Sequence, residues 1–304
     1  MSELFRDPIH DGATDPVIVP GGTDGLWWLL YTSRRADAPA GQGVAWVHGS
    51  DIGTASSSDG GATWVYRGVL AGLEHEPGRN TFWAPEVVWA EGEFHMYVSY
   101  IRGVPDRWAG HERHIHHYTS PDLVSWTHHG DVLPRYPLVI DACVHPLPAG
   151  GYRMWFKNEA DGNSTWASDS ADLYHWDEPR PVLRTEGGHE GPNVFTFRGR
   201  YWMVVDSWDG QLAFTSDDLE TWRPAGVLLD GASGRPGTDD EGPGLHADVL
   251  VHGDEAYLTY FTHPLGEDRR TWATRRSTIH VAALDVRGDA LVCDRAAQTR
   301  LNLG

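Results

Sequence analysis

The sequence predicts an all-β protein, a five-bladed β-propeller, and two interleaved repeats support this fold. The first repeat is a turn in which Ser and Asp precede a Trp that lies six residues after the Ser. Small polar side chains bond the backbone of such a turn, and the Trp packs where the chain straightens. Four copies lie roughly 45 to 60 residues apart, the length expected of a propeller blade: residues 58–64, 120–126, 170–176 and 216–222.

The second repeat is a short apolar strand, a tight turn with Gly, and an aromatic strand. Without a convincing 3.6-residue periodicity, five such units favour a propeller over a sandwich. In a propeller the first strand of each blade lines the central axis. We expect one domain over residues 1–304, with residues 279–284 and 290–292 as the outer hairpin of blade five. The five units are residues 15–32, 85–100, 141–156, 191–205 and 246–261.

The net charge restricts the class of partner. The chain has 43 acidic and 24 basic residues, a formal charge of −19. Proteins that bind nucleic acid or anionic membranes usually have the opposite balance, so we expect neither as a partner. A neutral sugar is not disfavoured by this charge.

The cysteines and the N-terminus carry no specific motif. Cys143 and Cys293 match no metal or redox spacing, so we expect two buried thiols. Residues 1–8 lack the apolar core and cleavage pattern of a signal peptide. No segment approaches the roughly 18 apolar residues of a membrane span. We therefore expect a cytoplasmic protein.

Three insertions interrupt the repeats, at residues 71–82, 101–117 and 231–245. Long loops on a compact domain are usually functional or disordered. The third insertion has no strand propensity and leads directly into the fifth inner strand. We expect it to form a rim or lid over one mouth of the axis.

Acidic residues lie where the inner strands of different blades begin. Asp15 opens blade one, Asp141 opens blade three and Glu190 opens blade four, while Glu86 and His246 lie at comparable places in blades two and five. Inner strands converge on the axis, so these side chains should meet at one mouth of the channel. Crowded, partly desolvated carboxylates have their pKa values pushed apart, which keeps one protonated. Glycoside hydrolysis requires such a pair, one proton donor and one carboxylate base or nucleophile.

Each acid also has a structural explanation when it is considered alone. Asp before Pro is common in turns, Asp141 fits a strand cap, and Glu190 fits a surface turn. Their occurrence at the same place in three blades favours a carboxylate active site.

Four short motifs lie at the starts of the inner strands: Asp15-Pro16, Trp83-Ala84-Pro85-Glu86, Ile140-Asp141 and Glu190-Gly191-Pro192. In combination these motifs resemble glycoside hydrolase family 43 over roughly residues 10–265. The resemblance implies a five-bladed propeller, shared with the related families 117 and 32, and an inverting, exo-acting enzyme of the arabinofuranosidase or xylosidase type. It implies Asp15 as general base, Glu190 as general acid and Asp141 as the residue that raises the pKa of the acid.

The resemblance also bears on ligands. No cofactor is needed for the chemistry, and His246 matches an axial histidine that lies next to a bound calcium or sodium ion, usually through water. The substrate would be an oligosaccharide or a small glycoside. The segments 31–35 and 155–159 do not assign the chain to a characterised subgroup.

Other side chains are candidates for contact with a sugar. Aromatic rings stack on the C–H faces of sugars, so Trp83, Trp166, Trp208 and Trp272 are candidates. Trp83 is favoured because it directly precedes the second inner strand, and Trp208 joins it in the predicted binding set. Arg35, and Arg34 beside it, follow the second strand of blade one and have donors for hydroxyl groups. Glu86 and His246 complete the predicted binding set.

A lysine and a group of histidines receive structural explanations. Lys157, the single lysine, lies near Glu159 in the sequence, so we expect an ion pair rather than substrate contact. We expect a solvated rim rather than a metal site for His111, His114, His116 and His117.

Two alternatives remain open from the sequence. Residues 57–64 fit the Asp-box turn of sialidases, which are also propellers, but a sialidase needs converging arginines and a Tyr nucleophile. The second alternative is a non-catalytic propeller that binds a carbohydrate or protein partner. Activity on a panel of chromogenic glycosides would separate these classes.

Overall fold

In a computed structural model the described residues, 3–22, 24–39, 43–263 and 271–304, form the predicted five-bladed β-propeller. Five antiparallel sheets are arranged so that the first strand of each sheet contacts the first strands of its neighbours. The chain begins with strand β1 (Glu3–Phe5), and blades one to three follow in order. They comprise β2 (Ala13–Pro20), β3 (Trp27–Ser33), β4 (Asp51–Ser57) and β5 (Val65–Val69); β6 (Thr81–Ala90), β7 (Glu93–Ile101), β8 (His114–Ser120) and β9 (Thr127–Asp131); and β10 (Val139–Pro146), β11 (Tyr152–Asn158), β12 (Ser164–Ser170) and β13 (Arg180–Leu183).

Blades four and five complete the ring. They comprise β14 (Glu190–Phe197), β15 (Arg200–Asp206), β16 (Gln211–Ser216) and β17 (Arg223–Leu228); and β18 (Leu245–His252), β19 (Glu255–Thr262), β20 (Thr278–Arg287) and β21 (Ala290–Cys293). The described helices are short: helix α1 (Trp272–Arg275) and two 3₁₀ turns, Glu159–Asp161 and Gly231–Ser233. No helix among the described residues is long and apolar enough to cross a membrane.

The two ends of the chain meet in blade five. The N-terminal strand β1 pairs antiparallel with β20, opposite Ile279 and His280, while β21 pairs with a later stretch of β20. The outer hairpin of blade five predicted from the sequence is confirmed. The added N-terminal strand was not predicted, and it ties the start of the chain to the last blade.

The hydrophobic core is divided into clusters that lie between adjacent blades. Trp155 and Met203, for example, pack between blades three and four, and Tyr31 and Phe261 pack between blades five and one. Because both faces of most strands are covered, the inner strands are nearly continuous apolar runs. This packing holds the blades in a ring and fixes the relative positions of residues on different inner strands.

The turn repeat has the structure that its sequence predicts. In the copy at 120–126, Asp122 Oδ1 accepts hydrogen bonds from the backbone N–H groups of Val124 and Ser125, at 2.9 and 2.7 Å. The first copy differs by one residue, because Ser57 rather than Ser58 bonds Asp59. Cys143 and Cys293 are both free thiols, the first buried and the second half-buried.

Candidate active site

A cavity of about 800 Å³ opens at one end of the central channel. Asp15, Asp141 and Glu190 all line it, together with His246. Four different inner strands, β2, β10, β14 and β18, supply these four side chains. The structure therefore brings together the three predicted catalytic carboxyl groups.

A β-bulge at the same place in every inner strand explains this convergence. Each register shift contains one residue in the left-handed region, which turns a side chain toward the mouth of the channel. Strained backbone of this kind is characteristic of functional sites. The five residues and their φ angles are Asp15 (51°), Ala84 (46°), Asp141 (61°), Gly191 (54°) and His246 (31°).

Glu190 and Glu86 are not equivalent to Asp15 and Asp141. Glu190 precedes the left-handed Gly191, where an added Cβ would lie 3.1 Å from Nδ1 of His246. Glu86 follows the bulge of blade two and lines a separate cavity of about 20 Å³ deeper in the channel. Its Oε1 accepts a 2.7 Å hydrogen bond from the N–H of Val144. Glu86 thus lies outside the main cavity, because the bulge turns it the other way.

Asp15 lies between two basic groups. Its Oδ2 is 3.5 Å from the Arg34 guanidinium, and its Oδ1 is 3.6 Å from Nδ1 of His246. The buried Oδ1 has no hydrogen-bond partner among the described residues. Burial lowers the pKa of His246, but Asp15 and the other carboxylates outweigh burial, and the net pKa is raised. This oxygen is available to a group that enters the cavity.

Arg34, and not the adjacent Arg35, lines the cavity. Arg35 points away and donates to the carbonyl oxygen of His48 at 2.9 Å, so it braces the loop at residues 44–48. Arg34 lies 5.2 Å above the ring of Phe261, and its buried Nε has no hydrogen-bond partner in the described structure. The predicted binding role of Arg35 is not supported by its position.

Lys157 is the nearest basic group to Glu190. Its ammonium lies 2.8 Å from Oε2 of Glu190 and 3.5 Å from Oε1 of Glu159. The expected pair with Glu159 is present, but the shorter pair with Glu190 was missed. Burial raises the pKa of Glu190, but the charge and hydrogen bond of Lys157, with the charges of His246 and Arg34, together outweigh burial, so the net pKa is lowered. The net direction does not test the expected influence of Asp141, which acts to raise the pKa of Glu190 and stays a prediction.

Two acids that line the cavity near Glu190, Asp141 and Asp206, have raised pKa values. Burial raises the pKa of Asp141 to about 6, with a further raise from the Glu190 charge and a lowering by His246. Burial and the Glu190 charge raise the pKa of Asp206 to about 7. Asp206 ends β15 and lines the cavity, and sequence reasoning missed it. Its two oxygens accept hydrogen bonds from the N–H groups of His246 and Trp208, at 2.6 and 2.7 Å. The sequence signal that could have identified Asp206 is an acidic residue at the end of an apolar and aromatic strand.

Aromatic side chains form one side of the cavity, here called the aromatic wall: Trp46, Trp83 and Trp108. The Trp83 indole N–H donates to the carbonyl of Val47 at 2.7 Å, and Trp108 is half exposed. Trp208 also lines the cavity, and the Lys157 ammonium lies 5.6 Å above its ring. Trp83 and Trp208 therefore lie where the sequence predicted, whereas Trp166 and Trp272 do not line the cavity.

The insertion at 101–117, rather than the one at 231–245, forms the rim of the cavity. It contributes Trp108, Ala109, Gly110 and Arg113, while only the last residue of the 231–245 insertion, Leu245, lines the cavity. The latter loop is held against the C-terminal segment by the buried ion pair of Asp240 with Arg295, at 2.7 Å. The predicted lid is wrong for this loop, because its residues before Leu245 do not line the cavity.

The predicted solvated histidine rim is wrong for two of its four members. His116 and His117 are buried side chains on successive positions of β8, pointing to opposite faces of blade two. His111 lies in the insertion, with its ring 6.4 Å from that of His48. His114 pairs with Asp131 at 2.7 Å.

Several solved structures have a fold similar to that of this chain. Among solved structures the chain is similar to a thermostable family-43 glycoside hydrolase, with a TM-score of 0.70, 17% identity and 97% of each chain covered. It is also similar to an α-L-arabinanase of Cellvibrio cellulosa complexed with arabinohexaose, with a TM-score of 0.66, 15% identity and 94% of this chain and 96% of that chain covered. A β-xylosidase/α-arabinofuranosidase from a compost microbial metagenome, in complex with xylotriose and in a calcium-free form, gives a TM-score of 0.67 at 15% identity, with 95% of each chain covered.

At these identities the comparisons establish the fold. The expected resemblance to family 43 is thus confirmed as a shared propeller architecture. No protein-family model and no curated protein matches the chain.

Proposed function

We propose that the chain is an inverting, exo-acting glycoside hydrolase that acts on xylosides or arabinofuranosides. The observation that carries the proposal is the convergence of Asp15, Asp141 and Glu190, from three blades, on one cavity of about 800 Å³. A structural role for each acid would not require the three to share a cavity. Two carboxyl groups with different environments are the requirement of glycoside hydrolysis.

In the proposed mechanism, Glu190 donates a proton to the oxygen of the departing group as the glycosidic bond breaks. Asp15 accepts a proton from a water molecule that attacks the anomeric carbon from the opposite face of the sugar. Oδ1 of Asp15 suits this task, because it has no hydrogen-bond partner among the described residues and can therefore accept a proton. Arg34 stays beside the other oxygen and favours the ionised form of the base.

The proton supply involves the neighbours of Glu190. In the free protein Lys157 favours an ionised Glu190, while burial raises the pKa values of Asp141 and Asp206. Strongly interacting carboxyl groups titrate as a set, so the proton is shared within this cluster.

The cavity favours a neutral oligosaccharide. Its volume is within the range of sites that hold ligands larger than one monosaccharide. The aromatic wall on one side, with Trp208 also lining the cavity, offers surfaces for stacking on sugar rings. Xylotriose and arabinohexaose are bound in two structurally similar proteins, which supports a pentose-containing substrate.

The sialidase alternative is less favoured by the cavity. Its described lining contains two arginines, Arg34 and Arg113, and each lies within ion-pair distance of a carboxylate of the same cavity. A substrate carboxylate would compete with these partners. No observation specifically favours a non-catalytic propeller.

We also propose a calcium or sodium ion beneath His246. The 20 Å³ cavity in the channel has room for one water-sized occupant and is lined by Asp15, Glu86, Asn193, His246 and Asp248. Oxygen donors of this kind suit a hard cation. Protein N–H groups already occupy Glu86 Oε1 and Asn193 Oδ1, so the ion would be bound largely through water. The ion would help to order His246, through water, at the floor of the main cavity.

Activity on chromogenic glycosides tests the function. We expect hydrolysis of an aryl xyloside or arabinofuranoside by the parent protein, with inversion visible by NMR of the first-formed sugar. Asp15→Asn should abolish turnover, while Trp272→Ala, outside the cavity, serves as the matched control. Absence of activity over a panel of pentosides and hexosides would contradict the proposal.

A further inference from the structure

A second cluster of ionisable groups lies in blade two, outside the cavity. His75 precedes β6 in the insertion at 71–82, His116 lies on β8 and His128 lies on β9. One imidazole nitrogen from each lies within 4.8 Å of the others. Within the described ranges this is the one group of three such side chains with this spacing, and none of the three lines the main cavity.

The hydrogen bonds of His75 fix which of its nitrogens carries the proton. Tyr118 donates its hydroxyl proton to the carbonyl of Leu73 at 2.8 Å, and Nδ1 of His75 lies 3.1 Å from the Tyr118 oxygen. That oxygen has no other proton to give, so Nδ1 of His75 is the donor. When Nδ1 carries the proton, Nε2 presents a lone pair, and this buried nitrogen has no hydrogen-bond partner among the described residues.

His116 and His128 face each other through nitrogen atoms. Nδ1 of His116 lies 2.9 Å from Nε2 of His128, and the two ring planes differ by 5°. Only one of these nitrogens carries the proton of this contact. The other nitrogen of the contact presents a lone pair, and a lone pair on neutral imidazole is what binds metals.

We propose that His75, His116 and His128 bind one divalent transition-metal ion of the zinc type. Zinc prefers imidazole nitrogen at about 2.0–2.1 Å in a tetrahedral arrangement, with water as a fourth ligand where the protein supplies three. The bond from Nδ1 of His75 to Tyr118 is the outer contact that orients a metal-binding imidazole. The ion would tie the loop between blades one and two to the outer strands of blade two.

Metal binding requires a defined change in the rings. The ring of His75 stacks on the other two, at centroid distances of 4.6 and 4.2 Å and interplanar angles of 25° and 20°. A lone pair lies in the plane of its ring, so the His75 ring must tilt for its lone pair to meet those of His116 and His128. His75 lies in a loop rather than in a strand, which permits this tilt. The ion takes the place of the hydrogen bond between His116 and His128, and the proton of that contact moves to the other nitrogen of the donor ring.

The opposite face of the same strands provides an internal control. There His95 and His117 form a similar pair, with Nδ1 and Nε2 at 3.0 Å and ring planes within 8°. The third histidine of that face, His129, places its Nε2 2.9 Å from the hydroxyl of Thr119. The buried nitrogen of this face without a hydrogen-bond partner among the described residues is Nε2 of His95, which is itself a member of the pair. The three rings of this face do not have the close nitrogen spacing of His75, His116 and His128.

Metal titration of protein produced without a histidine tag and stripped with a chelator tests the proposal. We expect one Zn²⁺ per chain by calorimetry, and a tetrahedral visible spectrum with Co²⁺. Loss of an outer contact weakens metal binding by roughly 10–100-fold. His75→Gln and His128→Gln each remove a direct ligand, so each should weaken Zn²⁺ binding by more than this. His129→Gln should leave binding unchanged. Circular dichroism establishes that each variant is folded.

The results that would overturn the proposal are specific. Absence of stoichiometric Zn²⁺ binding, or equal affinity in the parent and His75→Gln, would show that the cluster is held by stacking and hydrogen bonds alone. An octahedral Co²⁺ spectrum would exclude the three-histidine site. The glycosidase assay is independent of these outcomes, because none of the three histidines lines the catalytic cavity.

Discussion

Lys157 lies 2.8 Å from Glu190, so the only lysine of the chain is paired with the residue that we assign as the proton donor. The contact lowers the pKa of the carboxyl group whose proton the reaction needs. The protein thus holds the proposed acid between opposing influences: the positive charge of Lys157, and burial together with the negative charge of Asp141.

Removing the positive charge should raise the pKa of Glu190. In Lys157→Gln the alkaline limb of the kcat/KM profile, which reports the acid of the free enzyme, should move to higher pH. A pH profile of the folded variant measures this shift. Glu159→Gln is the matched control, because it leaves the pair of Lys157 and Glu190 in place. An unmoved limb in Lys157→Gln would show that another group donates the proton.

Removing the negative charge of Asp141 should have the opposite effect. Asp141→Asn keeps the size of the side chain but removes a charge that disfavours ionisation of Glu190, so the alkaline limb should move to lower pH. Activity near neutrality should fall and recover partly in more acidic buffer, provided that Asp15 remains ionised there. Uniformly reduced activity with the same limb would mean that Asp141 only positions groups or substrate.

Glu190→Gln should discriminate between substrates. We expect a loss of roughly 10²–10⁴ in rate with poor leaving groups, because these need protonation in the transition state. Aryl glycosides with acidic phenols should lose much less. The ratio of the two losses, from parallel kinetics on alkyl and nitrophenyl glycosides, is the measurement. Equal losses on both substrates would remove Glu190 from the role of acid.

Asp15→Asn should give a severe loss that does not depend on the leaving group. Water must be activated whichever group departs, and an amide is a much weaker base than a carboxylate. The same pair of substrates measures the result, with circular dichroism as the control for folding. Near-parental turnover would exclude Asp15 from the mechanism.

The buried His189 should contribute to the pH dependence of stability. Burial, then the Lys157 charge, lowers its pKa to about 4 from 6.5. The folded state prefers the neutral ring, so stability is complete above pH 6.5 and is lost as the pH falls toward 4. His189→Gln removes this dependence. Urea titrations give the free energy of unfolding of the variant minus that of the parent. This difference should rise by up to about 1.4 kcal/mol per pH unit as the pH falls from 6.5 toward 4. A difference that does not change with pH would contradict the assignment.

Much of the fold follows from the sequence, because each blade repeats the same local signals. The Ser-Asp turns and the apolar and aromatic strand pairs are encoded within a few residues, and they placed Asp15 and Asp141 on inner strands. Closure by β1 was not evident, since a three-residue strand carries little pattern.

The site was less predictable where it depends on side-chain direction. A one-residue shift reverses the face of a strand, and the bulge therefore sends Glu86 away from the cavity that Asp15 lines. Arg34 and Arg35 are adjacent, so the sequence could not decide which one faces the cavity. The pairing of Lys157 with Glu190 joins two blades and has no local signal.

The five bulges give the mouth of the channel a modular character. One left-handed residue per blade occupies the same place in the ring, and the chain fills these places with two Asp, one His, one Gly and one Ala. The backbone geometry is common to all five positions. A substitution at one of them can therefore change the charge at the mouth of the channel without a change in the strands. Ala84, in blade two, is the place that bears only a methyl group, and its buried backbone N–H is already held by Thr32 at 2.8 Å. An Asp introduced there would meet the same backbone conformation that Asp15 and Asp141 already adopt, which makes blade two the natural position for engineering a new specificity onto this scaffold.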